Sequence, residues 1–453
     1  MSSGENSAGR MKGLVTTNLQ MIIIRVIIRY DAHFPGYVPE GLSSFSSGSL
    51  GYASMSLLRW FSVLSAVLVA GAAQAGESGS WEGGVRLGFF QSDQLSVPDD
   101  GQIVAAAGGV LRYVSPAWHG LWGEGALFAV WNPGFNPPLG TGYSEIFAVD
   151  GDSFVMPGEL NLQGRWGGAH MVLGRQALET PHASPDDIRM MPNRFDALTM
   201  DYQVNIGLDV SAGWINSMGG WENGIDTARF YNLGQVLGVE DIAGMGYVSS
   251  EYRLDTLDTQ AWAYHITDVA NLFYFEIGQA LPLSSAWSWE WGAQLDIQHA
   301  TGDELLGDVH AHVWGLRSML AHQLSGVSLE LALNSTSGET FALTGFGGGP
   351  FFTSMEDRTL SIEGDQPRAF KLALGFDLGV LDAEGLRLEA AHGGYRADAR
   401  NGQDELEYQE DDFSIIYQPV PRFAFEAVFA DIDNLKGSEE DTEQWRVRAD
   451  VQF

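Results

Sequence analysis

The chain has 453 residues, no cysteine, 56 glycines, 14 tryptophans and a formal net charge of -34, with 45% hydrophobic and 11% aromatic residues. That charge excludes a nucleic-acid partner, whose phosphates need an excess of Lys and Arg, and the missing cysteine excludes a disulfide scaffold, a thiolate zinc site and a thiol nucleophile. The apolar content excludes a disordered chain, and glycine near 12%, against about 7% in average proteins, points to a secreted or outer-membrane β protein.

In chain order, the first informative segment is residues 55–75, MSLLRWFSVLSAVLVAGAAQA. Arg59, an apolar stretch from Trp60 to Ala70, and Ala73-Gln74-Ala75 supply the three parts of a secretory signal peptide. The apolar stretch is too short for a spanning helix, which needs about 20 residues. Residues 1–54 are expected to be a misassigned upstream extension, with a short leader as the alternative. Residues 76–453 are expected to form the folded unit. Five of the 24 basic and three of the 58 acidic residues precede Gly76, so 19 basic face 55 acidic side chains in that unit.

From there on the dominant signal is alternation with period two over about ten residues, the mark of a membrane β-barrel. Trp287, Trp289, Trp291, Ala293, Leu295 and Ile297 alternate with Ser288, Glu290, Gly292, Gln294, Asp296 and Gln298. The same pattern runs through Val327–Asn334 and Phe370–Leu378. Aromatic residues recur at the ends of the oily faces, where amphipathic rings sit at a membrane interface. The pattern predicts strands at 81–90, 103–113, 121–131, 159–166, 169–175, 196–204, 205–215, 246–254 and 257–265. It predicts nine more at 271–279, 287–298, 311–321, 326–334, 368–378, 385–396, 406–417, 422–430 and 443–453. Eighteen is even, as closure with both ends on one side requires; sixteen is the count if 205–215 and 271–279 are not strands. The connections support this: Gly167-Gly168 and Gln418–Pro421 are short, whereas 132–158, 176–195, 216–245 and 335–367 are long. Trp445, Val447, Ala449, Val451 and Phe453 form a last oily face ending on an aromatic residue. That face resembles the strand which outer-membrane barrels present to their assembly machinery.

The third long connection reads Gly174-Arg175-Gln176-Ala177-Leu178-Glu179-Thr180-Pro181, then Asp186-Asp187-Ile188-Arg189-Met190-Met191-Pro192-Asn193-Arg194-Phe195. It resembles the signature of the OprD family of Gram-negative outer-membrane porins. The run Gly349-Pro350-Phe351-Phe352-Thr353-Ser354-Met355-Glu356 and Tyr395 are also similar to that family. The resemblance implies an 18-stranded barrel in the outer membrane, selective uptake of small carboxylate-bearing solutes, and a 176–195 loop folded inward to narrow the pore. Within it, Arg175, Asp186, Asp187, Arg189 and Arg194 are the implied constriction residues.

A pore works through shape and the sign of its lumenal field. With the oily faces toward lipid, the opposite phase turns Arg86, Arg165, Arg317, Lys371, Arg387, Arg446 and Arg448 inward. Arg86 and Arg448 are expected at similar depth on the two closing strands, Lys371 near the outer end of its strand and Arg387 near the inner end. Asp209, Glu290, Asp296 and Glu330 fall on the far arc, so a transverse field would orient a zwitterion. The plain alternative is that these charges pair with one another, and that Arg189 and Arg194 only pin the loop.

The expected function is a substrate-preferring porin for carboxylates and amino acids. The alternatives are a cation-preferring or basic-amino-acid porin, and a non-conducting structural or adhesin barrel. No phosphate cradle, Gly-x-Ser-x-Gly elbow or Ser/His constellation is present, so no catalytic residue and no cofactor are expected. His310 and His312 place two rings on one strand face near Asp303, Glu304 and Asp308; a coincidence at a loop edge is preferred to a metal site. Acidic loops at 404–412 and 439–441 could take divalent cations that bridge lipopolysaccharide, a solvated surface being preferred. The expected partners are thus small solutes, outer-membrane lipid and, through Phe453, the barrel assembly machinery.

Overall fold

The computed structural model describes residues 79–92, 104–134, 136, 145–338, 341–360, 365–399, 404–437 and 441–453. The expected leader 55–75, the extension 1–54 and the acidic positions 439–440 lie outside the described residues. The described strands, in chain order, are β1 (Ser80–Ser92), β2 (Val104–Val114), β3 (Leu121–Trp131), β4 (Phe154–Trp166), β5 (Ala169–Gln176), β6 (Arg194–Asn205), β7 (Leu208–Gly219), β8 (Phe230–Asn232), β9 (Met245–Leu254) and β10 (Leu257–Ile266). They continue as β11 (Ala270–Pro282), β12 (Trp287–Ala300), β13 (His310–His322), β14 (Val327–Gly338), β15 (Asp365–Asp377), β16 (Leu386–Asp398), β17 (Leu406–Val420), β18 (Phe423–Lys436) and β19 (Thr442–Gln452).

Each strand pairs antiparallel with its neighbour in sequence, β7 skips the three-residue β8 to pair with β9, and β1 pairs with β19. The result is a closed barrel of eighteen strands with β8 added to the outer end of β7. Closure leaves no open edge in lipid, where unsatisfied backbone groups cost several kcal/mol each. The segments 205–215 and 271–279 are both strands, which decides for eighteen over sixteen. The expected start at 205 moves to Leu208 because Ile206 and Gly207 form the turn, with Ile206 fully exposed. At the seam the last residue joins the ladder: Gly83 N donates to Phe453 O at 3.1 Å and Phe453 N to Gly83 O at 2.9 Å.

Alternation sorts the faces. Leu127, Leu160, Leu162, Leu173, Leu316, Leu331, Leu372 and Leu374 are exposed on the outside, a lipid-facing band. It is flanked by rings: Trp81, Trp166 and Trp287 toward the periplasmic turns, and Trp131, Trp214 and Trp314 toward the long loops. Such girdles mark the two interfaces.

In the extracellular half the inner face also turns apolar. Phe90, Val104, Ala106, Phe128 and Val130 pack with Ile146, Phe147, Met190 and Met191 from the loops. A second cluster joins Ile215, Tyr264 and Ile266 to Leu178, Ala183, Leu343 and Phe346, and a third joins Val313, Tyr395 and Ala397 to Phe351 and Leu360. Two loops, 177–193 and 341–360, therefore lie inside the barrel, held by burial of apolar surface. They also bond to one another: Ser184 N donates to Phe346 O at 3.1 Å, and Phe346 N to His182 O at 2.9 Å. The inward position of 341–360 was not expected from the sequence.

Candidate functional site: the neck of the barrel

Three consecutive carbonyls at the tip of the 177–193 loop face three arginines on the closing strands. Arg86 donates to Arg189 O at 2.8 Å, Arg446 to Ile188 O at 3.0 Å, and Arg448 to Asp187 O. The register explains why they converge. Arg86 lies opposite Asp450, Gly88 opposite Arg448, and Phe90 opposite Arg446, so the inward phase stacks the arginines diagonally up one arc of wall. Gly88 keeps room for the loop: a Cβ there would stand 2.7 Å from Met190 Sδ.

The same guanidinium groups grip carboxylates. Arg86 holds both oxygens of Asp187 at 2.5 and 2.9 Å and Asp450 at 2.6 Å. Arg448 takes Glu426 with two nitrogens, at 3.2 and 2.7 Å, and Arg446 takes Glu356 at 2.7 Å. Arg189, from the loop itself, reaches Glu145 at 3.3 Å and Glu356 at 3.8 Å and lies 5.0 Å over the Trp221 ring. The planar fork of Arg suits such multidentate contacts. Arg86, Arg189, Arg446 and Arg448 are nearly covered, their side chains 15%, 14%, 6% and 11% exposed, whereas Asp187 is 47% and Glu145 39% exposed. Asp187 and Glu145 thus present more of their surface to solvent than the four arginine side chains do.

The loop carboxylates are pulled in opposite directions. Partial burial pushes Asp187 up, but the Arg86 hydrogen bonds and the charges of Arg86 and Arg448 outweigh it and hold it below the usual range. Burial raises Asp186 and Glu356 despite nearby arginines. Glu222 joins three loops: it accepts from Gly348 N at 3.0 Å and from Asn193 Nδ2 at 2.8 Å. Burial, with the charge of Asp186, pushes it up to about 7.

Glu356 is placed from below. Glu410 accepts from Asp357 N and Arg358 N, each at 2.8 Å, Asp412 accepts from Glu356 N at 3.1 Å, and the Tyr395 hydroxyl donates to Thr353 O at 2.6 Å.

The other residues singled out in the sequence have their own partners apart from the three closing-strand arginines. Arg175 has the outward phase of Met171 and Leu173; it pairs with Asp196 at 3.2 Å and lies 4.1 Å over Phe230 at the outer rim. Arg194 is buried against Glu159 at 2.8 Å, where Arg112 also binds at 2.8 Å. Lys371 sits in the middle of β15, not at its outer end, and pairs with Glu330 at 3.0 Å. Arg387 is at the periplasmic exit, 3.9 Å from Asp377. Arg165 lies 6.0 Å over Trp122 and Arg317 5.3 Å over Phe352. Asp296, expected to face water, is fully covered by the loops, 3.2 Å from His182. The partners Glu145, Glu222, Glu426 and Asp450 were not singled out, and Glu356 stood only at the end of the family-like run from Gly349. Glu426 and Asp450 have the inward phase, which is the signal that could have found them.

Under the loops, on the far side from the arginine arc, lies a cavity of about 370 Å³. It runs from Glu179 at the loop root to Arg253 and Asp258 beside the periplasmic turn, and Glu251, Glu276, Glu290 and Arg317 also line it. Five carboxylates thus face two arginines, so this part of the lumen is acidic, with Asp209 close by.

A family model described as outer membrane porin, OprD family, matches residues 151–420. Among solved structures, Pseudomonas aeruginosa OccK9 (OpdG) aligns with a TM-score of 0.72 at 17% identity, covering 83% of this chain and 98% of that one. Acinetobacter baumannii OccAB3 gives 0.72 at 13% identity, covering 83% and 99%. Pseudomonas aeruginosa OpdK with vanillate gives 0.70 at 17%, covering 83% and 99%. At these identities the likeness is one of fold. No curated protein sequence matches the chain.

Proposed function

Because the chain belongs to the OprD family of outer-membrane porins, we propose that its neck selects small amino-acid-like solutes, which carry a carboxylate and a cationic group together. The observation that carries this reading is the neck itself, where four arginines and the carboxylates of Asp187, Glu145, Glu356, Glu426 and Asp450 lie in one cluster. A solute carboxylate replaces a carboxylate on Arg86, Arg189 or Arg448, and its ammonium group meets the more exposed Asp187 or Glu145. Exchange of one ion pair for another leaves no charge unpaired, which keeps binding weak enough for release on the far side. The acidic cavity beyond the neck favours the cationic end over a second negative charge. OpdK, one of the structures of similar fold, is described with vanillate, a carboxylate.

A second reading, a cation-preferring channel for basic amino acids, is favoured by the low exposure of the arginines and the acidic cavity. One experiment separates the two: liposome swelling with glycine, arginine, benzoate and a neutral sugar of like size, beside reversal potentials in planar bilayers. The amino-acid reading expects glycine and arginine both to outrun the sugar. The cationic reading expects arginine alone to do so. Benzoate as fast as arginine overturns both.

A further inference from the structure

At the extracellular end of β12 and β13, on the outside of the wall, three histidines meet. The register sets His299 directly opposite His310 and Ile297 opposite His312, so His299 has one imidazole beside it and one diagonal to it. All three share the outward phase: Ala311 and Val313, between and after them, are fully buried beneath the inward loops, whereas Trp314, next on the same face, is 47% exposed. Ring centroids are 4.9 Å apart for His299–His310, 5.4 Å for His299–His312 and 5.3 Å for His310–His312. One ring nitrogen from each lies within 4.8 Å of the others. Among the described residues, no hydrogen bond engages the ring nitrogens of His299 or His312. Only two of these rings are close in sequence, two positions apart; the third arrives through strand pairing.

The spacing can be compared with what a metal demands. Zinc binds imidazole nitrogen at about 2.0–2.1 Å, which sets the ring centroids about 3.2 Å from the ion and, at tetrahedral angles, about 5.2 Å from each other. The observed centroid spacings bracket that value. Rotation about χ2, a broad torsion for histidine, re-aims the ring nitrogens while leaving the ring centres nearly in place.

We propose that His299, His310 and His312 form a three-imidazole site for a borderline divalent metal, with zinc as its type case, on the outer surface of the barrel just above the Trp131–Trp214–Trp314 girdle. The fourth position is open to solvent. Imidazole donors select zinc, copper or nickel over the calcium and magnesium that carboxylates prefer. The net charge of -34 enriches divalent cations at the surface, so the acidic chain gathers ions that the imidazoles then sort.

The test uses the full barrel in detergent at pH 7.5, with zinc sulfate titrated calorimetrically against a large excess of calcium. One zinc per chain is expected to bind in the presence of calcium, with H299A and H312A each at least tenfold weaker and the triple alanine variant showing no such site. X-ray absorption of the wild-type zinc complex is expected to give three histidine nitrogens. Displacement of zinc by calcium, an oxygen-dominated shell, or unchanged affinity in the variants would assign the metal to the acidic loops and overturn the proposal. Heat-modifiable mobility checks assembly of each variant; the wild-type absorption spectrum decides the matter even if the triple variant does not fold.

Discussion

If the arginines of the closing strands act as staples for the inward loop, Arg448→Ala should loosen that loop by a predictable amount. The contacts to Glu426 do not count toward loop docking, because Glu426 belongs to the wall and regains water when the arginine is removed. What the loop loses is the bond to Asp187 O and a share of the longer contacts at 3.5 and 3.4 Å to Asp187 Oδ1 and Arg189 O, which Arg86 also serves. That amounts to about one charge-assisted hydrogen bond, ~2 kcal/mol. The ratio of docked to undocked loop should therefore fall about 30-fold. Arg86 and Arg446 still hold the tip, so the loop should open briefly and often without leaving the lumen. Single-channel recordings should show more frequent excursions to a larger conductance, and amide exchange at 186–190 should speed up. Arg448→Lys discriminates between mechanisms. It keeps the positive charge of a ladder but loses the fork, so a staple predicts alanine-like gating and a pure charge ladder predicts wild-type behaviour. Wild-type gating and exchange in Arg448→Ala would refute the reasoning.

Three further outcomes are expected. Glu222 rises from an ordinary 4.5 to about 7 in the docked arrangement, so its support for docking is fully present below 4.5 and is lost as pH rises through 7; Asp186 and Glu356 shift the same way. Channel noise should therefore grow from pH 5 to pH 8, with a flatter profile in Glu222→Gln; the opposite slope would contradict this. Deleting 180–192 should enlarge the pore, raising conductance and weakening solute preference, and unchanged conductance would place this loop outside the current path. Removing Phe453 takes away two ladder bonds to Gly83 and the ring that covers it, so heat-modifiable barrel in outer membranes should fall; normal yield would count against a role for the closing residue.

The sequence by itself determined the barrel. Period-two alternation is a local property of a strand between lipid and water, so the barrel pattern and the inward phase of Arg86, Arg446 and Arg448 could be read without knowing any contact. The choice of eighteen strands over sixteen, by contrast, was made by the pairing. The motif from Asp186 to Arg194 likewise pointed to the inward loop. Tertiary structure alone decided what those charges do. Arg175 and Arg189 lie in the same stretch, yet one ends on the outer rim and the other in the neck, because a strand end and a loop tip give neighbouring residues unrelated directions. Glu356 reaches Arg446 across 90 positions, through a loop that Glu410, Asp412 and Tyr395 hold down. Such pairings depend on which loop covers which wall, a matter of long-range packing that no local period encodes. One trace was nevertheless present: alternation weakens at Phe89-Phe90, at Leu127–Trp131 and at Ala311–Trp314, where apolar residues occupy both faces. An inner wall that is oily as well as the outer one needs a cover, and the two inward loops supply it.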